Sequence, residues 1–167
     1  MWIKFLESKE NKFLNSFKSF KNEFEVYCKQ EGFYLFGIID KVLFKDNKII
    51  IVDYKTDNIL ESQIKTRGEK YLSQLNFYAL ILNRIYPLFS EIEIRIIFLK
   101  YPNKPFIKMF TKKDENRIKS ALNDLIFSIR NNNYSVNLDY CSQCIFSANH
   151  NRCIASVQSA NTATNNK

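Results

Sequence analysis

The sequence predicts a mixed α/β fold, a central sheet with helices packed on it. Apolar runs of strand length flank turn residues between Phe33 and Val52, a helix-periodic segment follows from Ser62 to Tyr86, and two more strand-like runs precede a last helix. The order is therefore helix, three strands, helix, two strands, helix.

Each element has its own signal. Phe13, Leu14, Phe17 and Phe20 are spaced for an amphipathic helix running into the first strand, so an N-terminal helix is expected within 1–22. In the strand that follows, Phe24, Val26 and Cys28 share one parity and Glu23 and Glu25 take the other. Phe33 to Phe44 and Lys48 to Val52 read as a β-hairpin turning at Lys45-Asp46-Asn47. The long helix carries Tyr71, Leu72, Leu75, Tyr78, Ala79, Leu82 and Ile85 until Pro87 stops it. Ile92 to Tyr101 and Phe106 to Phe110 read as strands joined by Pro102-Asn103-Lys104-Pro105. Thr111 is placed as an N-cap, with Asp114 and Glu115 in the first turn of a helix running towards Arg130. From Ala155 to Lys167 the chain is mostly Ser, Asn, Thr and Ala without periodicity, so that tail is expected to be disordered. One domain is expected over 1–154, with its core in 23–131 and a cysteine-containing segment in 132–154.

Composition narrows the function classes. The chain of 167 residues is 46% apolar and 15% aromatic, enough to bury one core. Its net charge of +8 suits a phosphate backbone as partner, although the richness in Lys, Asn, Ile and Phe reads equally as a compositional bias. No stretch is long or apolar enough to span a membrane, and charged residues break the N-terminus where a signal peptide would be apolar. A soluble protein of the bacterial cytoplasm is expected. With only three glycines, Gly32, Gly37 and Gly68, the chain has no phosphate loop and is no motor by itself.

The chemistry sits between Gly37 and Tyr78. Gly37-Ile38-Ile39-Asp40 lies in one strand, Val52-Asp53-Tyr54-Lys55-Thr56 closes the next, and Gln74 to Tyr78 lies in the long helix. Asp53 and Lys55, two apart on a strand, share a face, while Tyr54 points away and leaves its carbonyl near that face. Two carboxylates and a carbonyl are hard oxygen ligands of the kind Mg²⁺ or Mn²⁺ prefers, and a lysine beside them would orient and favour a hydroxide nucleophile. This is the equipment for phosphodiester hydrolysis. Taken alone, Asp-x-Lys is weak, because an Asp after an apolar strand is commonly a turn residue and a Lys commonly solvated. Removal of either carboxylate is expected to leave stability unchanged or raised, since like charges are relieved.

As a set, the Gly-x-x-Asp strand, the Asp-Tyr-Lys-Thr strand and the Gln-x-x-x-Tyr helix resemble the RecB-type branch of the PD-(D/E)XK nuclease superfamily, over roughly residues 20–153. The resemblance implies a restriction-endonuclease-like fold, Asp40 and Asp53 as metal ligands, and Lys55 as the catalytic lysine. Gln74 and Tyr78, on one helical face, would brace the site and contact DNA; a core aromatic is the plainer reading of Tyr78. An upstream acid often completes the family's metal site, and Glu23 is the choice here, with Glu25 and a surface ion pair as alternatives. The family commonly has a histidine before this point; the one histidine here is His150, so that ligand is missing or lies in sequence not present. The resemblance further implies an exonuclease working with a helicase domain or subunit on single strands or duplex ends in double-strand break repair. A stand-alone relative of the CRISPR adaptation nuclease, or a non-catalytic DNA-binding relative, are the alternatives.

Cys141, Cys144 and Cys153, with Cys28 far upstream, resemble the [4Fe-4S] ligands of iron-sulfur nucleases in this family. The match is imperfect, because Cys28 reads as a strand residue facing the core and the gap before Cys153 is long. His150 could complete a Zn²⁺ site with the three C-terminal cysteines. Free thiols are set ahead of both readings.

Overall fold

The computed structural model describes residues 1–30 and 32–133. The chain divides into two units, 1–122 and 123–167, and the described part of the second is the end of the last helix and its exit.

At the N-terminus, α1 (Trp2–Leu6) and α2 (Lys9–Asn15) meet at the buried Ser8. Its hydroxyl accepts from the Asn11 backbone N–H at 3.0 Å and donates to the Phe5 carbonyl at 2.6 Å, closing one helix and capping the next. The single helix expected within 1–22 is thus two short ones, and β1 (Ser19–Gln30) begins earlier than the periodicity suggested. The reason is cross-strand pairing: Ser19 to Asn22 ladder with Phe44 to Lys41, so the Phe20 ring leaves the helical stripe and lies 4.4 Å beneath the Lys41 ammonium.

Among the described residues five strands form one sheet in the order β1-β2-β3-β4-β5, with β2 Phe33–Lys45, β3 Lys48–Lys55, β4 Glu91–Phe98 and β5 Phe106–Met109. The expected hairpin closes on a two-residue turn in which Asp46 takes a left-handed φ of 51°. Among the described residues β3 and β4 are the one parallel pair, and parallel neighbours need a long crossover. That crossover is α3 (Ile64–Ile85), which ends before Pro87 as its sequence requires. Strand β4 stops at Phe98, short of the expected Tyr101, because the chain turns there with Tyr101 N–H on the Phe98 carbonyl at 2.8 Å. Helix α4 (Lys112–Arg130) opens on the expected cap. The Thr111 hydroxyl accepts from Asp114 N–H at 3.3 Å, and the Asp114 carboxylate accepts from Thr111 N–H at 3.1 Å.

Both faces of the sheet are covered. On one, Leu75, Ala79 and Leu82 of α3 pack on Ile49, Ile51, Ile94 and Ile96; on the other, Phe5 and Leu14 pack on Leu43, Ile50, Val52 and Ile97. A buried charge cluster ties α2 to that second face. Arg95 donates to Glu10 and to Glu93 at 2.6 Å each, Lys48 reaches Glu93 at 2.7 Å, and the Arg95 guanidinium lies 4.4 Å from the Phe13 ring centroid. No helix among the described residues is long and apolar enough to cross a membrane.

Candidate active site

The site forms where the sheet splits. The β2–β3 ladder ends at Lys41 opposite Val52, and β3 continues beside β4 through Lys55. Asp40 and Asp53 are the first residues beyond the last rung. Strand β2 also changes face here: Leu35 and Ile39 pack on the α3 side, and so does Val42, which plain alternation would turn away. Across the hairpin, Asn22 pairs with Lys41 and Phe24 with Ile39, but Glu23 does not pair with Asp40; Glu23 instead takes a φ of 44°. A non-glycine residue in that region stores strain, which needs surrounding structure to hold it.

The split leaves the Tyr54 N–H without a β2 partner, and Asp40 supplies one through Oδ2 at 2.9 Å. The Tyr54 side chain points to the N-terminal helices, its ring 5.4 Å from that of Phe5. Burial, then the charges of Asp40 and Glu10, push its phenol up to about 12. Asp53 and Lys55 face α3, as their parity with Ile49 and Ile51 requires. Asp53 is only 4% exposed. Its Oδ2 lies 2.8 Å from Lys55 Nζ, an ion pair whose angles fall outside those of a hydrogen bond, so that oxygen is buried with no hydrogen-bond donor. Burial raises the Asp53 pKa above the ordinary carboxylate range; Lys55 opposes the rise, and the charges of Asp40 and Asp57 add to it.

Lys55 has a second neighbour that the sequence reading missed. Its ammonium sits 4.4 Å from the centroid of the Tyr71 ring, and the Tyr71 hydroxyl donates to Asp57 Oδ2 at 2.8 Å. Arg67 Nε donates to the same oxygen at 2.5 Å. Burial alone would raise the Asp57 pKa, but these hydrogen bonds from Arg67 and Tyr71 hold it below the ordinary range. Tyr71 is thereby fixed from below while its face receives Lys55, a cation–π contact. The spacing of Arg67, Tyr71, Gln74 and Tyr78, four, three and four apart, was the available signal for one shared helix face.

Gln74 donates to the Tyr78 hydroxyl at 2.8 Å, so the two expected helix residues do meet. Tyr78 also explains Gly37. A Cβ at Gly37 would lie 2.5 Å from Tyr78 Cε1, so the Gly-x-x-Asp strand can lie beneath α3 only with glycine there. Glu23 is exposed and makes no hydrogen bond or ion pair with another described residue. Cys28 is a half-buried free thiol packed against the α3-side core, as its parity predicted. Cys141, Cys144, His150 and Cys153 lie outside the described residues, as does the tail from Ala155 to Lys167.

Among the described residues no group of three or more His, Cys, Asp or Glu side chains is arranged to hold a metal ion. The donor set at the split is smaller than that and of one chemical kind. Asp53 Oδ2 is buried and lacks a donor, and Asp40 uses only Oδ2 within the described residues. Two carboxylates suit Mg²⁺, which takes one or two such ligands and keeps several waters.

Comparison with known proteins places the chain in a family. An ATP-dependent helicase/nuclease subunit of Clostridioides difficile is 38% identical over 68 residues, 41% of this chain and 5% of that protein. Exonuclease/helicase subunit RexA of Lactococcus lactis is 34% identical over 80 residues, 47% of this chain and 7% of that protein. The matched stretches are thus a small part of either relative. Two solved structures share the fold at low identity. A Eubacterium rectale protein described provisionally as an exonuclease aligns over 92% of this chain and 59% of its own, with TM-score 0.53 and 12% identity. The protein SSO0001 aligns over 93% of this chain and 66% of its own, with TM-score 0.51 and 19% identity. The family model of the PD-(D/E)XK nuclease superfamily matches residues 1–149, so every described residue, with the sheet, the split and α3, falls inside the match, and the chain belongs to that superfamily.

Proposed function

We propose that this chain is a divalent-metal-dependent deoxyribonuclease domain, with Asp40, Asp53 and the Tyr54 carbonyl holding Mg²⁺ or Mn²⁺ and Lys55 serving the hydrolysis. The observation that carries the reading is Asp53 Oδ2, buried without a hydrogen-bond donor beside an ammonium at an open end of the sheet. When bound, the ion would supply Lewis-acid activation of water and neutralise phosphate charge. The protein's own residues do the rest. Asp40, tied to the β3 backbone, fixes the distance between the two strands at the split. Lys55, held between Asp53 and the Tyr71 face, keeps a positive charge where negative charge develops on the phosphate and orients the attacking water. Gln74 and Tyr78 form the helix wall of the site.

The relatives matched are helicase/nuclease and exonuclease/helicase subunits, which supports a nuclease working beside a helicase on DNA with free ends in break repair. Exonuclease action is the mode we propose. Glu23 is retained only as an outer candidate, because its neighbours Asn22 and Phe24 pair with Lys41 and Ile39, the residues on either side of Asp40.

Cleavage of end-labelled linear DNA with Mg²⁺ or Mn²⁺, with EDTA and closed circular DNA as controls, tests this. Wild type should degrade the linear substrate and Asp40→Ala and Asp53→Ala should not. Equal activity in all three proteins would remove the assignment.

A further inference from the structure

Beside the split lies a second feature that the mechanism does not use. Residues 57–59 and the first turns of α3, with the 3-10 turn Glu61–Gln63 that precedes it, enclose a cleft of about 630 Å³, open along one side. Its walls include Asp57, Asn58, Ser62, Thr66, Arg67 and Lys70. We infer that this cleft binds a backbone phosphate of the DNA strand, flanking the phosphate held at Lys55; the inference rests on the nuclease reading above.

Unused donors define the ligand. Arg67 spends Nε on Asp57, and its two terminal nitrogens make no hydrogen bond to another described residue. Neither do the Lys70 ammonium nor the Ser62 and Thr66 hydroxyls; Thr66 and Lys70, four apart, share one side of α3, and Ser62 stands in the turn before it. The one carboxylate in the walls, Asp57, already accepts from Arg67 and Tyr71. Glu61, in the turn beside it, is paired with Lys104. What remains for a ligand is two cations and two hydroxyls, a set that matches the oxygens of a phosphodiester. A cleft this open to solvent suits a chain lying across it better than an enclosed small anion. Continuity with the split is direct, because Asp57 in the cleft wall anchors Tyr71, whose ring lies under Lys55. A strand threaded over Lys55 would meet Arg67 and Lys70 next.

The test is DNA binding without turnover, read by fluorescence anisotropy of a labelled single strand in Ca²⁺ across a salt series. Thr66 and Lys70 are exposed helix positions, so Thr66→Ala/Lys70→Ala should fold, which its melting curve checks. Affinity should fall about five- to tenfold and the slope of log K against log salt should shallow by about 0.7, the value for one phosphate contact on a single strand. Lys12→Ala, on the other side of the sheet, should change neither. Unchanged affinity and slope in Thr66→Ala/Lys70→Ala would overturn the inference. A loss confined to 5′-phosphorylated strands would also overturn it, because the cleft would then hold a terminus instead of an internal phosphate. The nuclease reading fails separately, through cleavage by Asp53→Ala, so the two outcomes are distinguishable.

Discussion

Replacing Asp53 with Asn should stabilise the metal-free protein at neutral pH while abolishing cleavage. Asp53 Oδ2 is buried, 2.8 Å from Lys55 Nζ, and receives no hydrogen bond. A buried polar atom left in that state costs about 1–3 kcal/mol. Asn lacks the charge, and the Lys55 ammonium keeps the Tyr71 face at 4.4 Å. What is lost is the charge component of a pair whose lysine side chain is 19% exposed, so we set that loss at about 1 kcal/mol. The net gain is about 1 kcal/mol, or about 2–4 °C in Tm. Its pH dependence follows from the raised pKa. The folded state holds the Asp53 proton more tightly than the unfolded chain, so its favourable contribution is complete below the unfolded pKa and is lost as the pH rises through the folded one. The advantage of Asp53→Asn should therefore be full above the raised pKa and shrink on acidification towards the ordinary carboxylate value. Thermal melts of both proteins in EDTA, from about pH 8 to about pH 4, measure this. A second series with Mg²⁺ should raise the Tm of wild type alone. If wild type is the more stable protein at neutral pH, or if the difference is flat with pH, Asp53 is a satisfied carboxylate and the reasoning fails.

Three further outcomes are expected. Tyr71→Leu, which removes both the ring under Lys55 and the bond to Asp57, should lower kcat at least about tenfold with KM within about twofold, whereas Tyr71→Phe, which keeps the ring, should lose only a few-fold; equal losses would show that the ring does not position Lys55. Gly37→Ala should cost about 1–3 kcal/mol in denaturant melts, because its Cβ meets Tyr78 at 2.5 Å. In a Tyr78→Ala background that cost should largely vanish, and additive effects would place the strain elsewhere. Glu93→Gln should cost about 2–3 kcal/mol at neutral pH, since Lys48 and Arg95 hold its pKa low against burial. That stabilisation is present above the unfolded carboxylate pKa and lost as the pH falls through the depressed one, so melts of the two proteins should converge in acid.

The sheet, the long crossover helix and the cap at Thr111 were legible because each depends on local pattern: apolar runs either side of a turn in Phe33 to Val52, period 3.6 in α3, and a hydroxyl before Asp114. The N-terminus was not, because the partner of Ser19 to Asn22 lies some twenty residues on in β2, and local periodicity cannot register that competition. The site divides the same way. Asp53 and Lys55 could be placed on one face from parity alone. The Tyr71–Asp57–Arg67 contacts could not, since Asp57 lies beyond the end of β3 and meets α3 only through the loop between them. Gly37 was legible as a motif position and became physical only once Tyr78 was found against it.

The two carboxylates, alike in sequence, differ in what the fold asks of them, and this separates the expectation that losing either would leave stability unchanged or raised. Asp53 is held against its preference, whereas Asp40 satisfies the Tyr54 N–H that the end of the β2–β3 ladder leaves open. Asp40→Ala should therefore destabilise the metal-free protein by about 1 kcal/mol, the cost of a half-buried amide left without its acceptor. Asp40→Asn should restore that stability, because an amide oxygen accepts the same bond, yet remain inactive for want of the charge. Melting curves and cleavage assays on Asp40→Ala, Asp40→Asn and Asp53→Asn thus give three distinct signatures: unstable and inactive, stable and inactive, stabilised and inactive. If Asp40→Ala melts at or above wild type, the Tyr54 bond is not what holds the split, and Asp40 acts at this site through its charge alone.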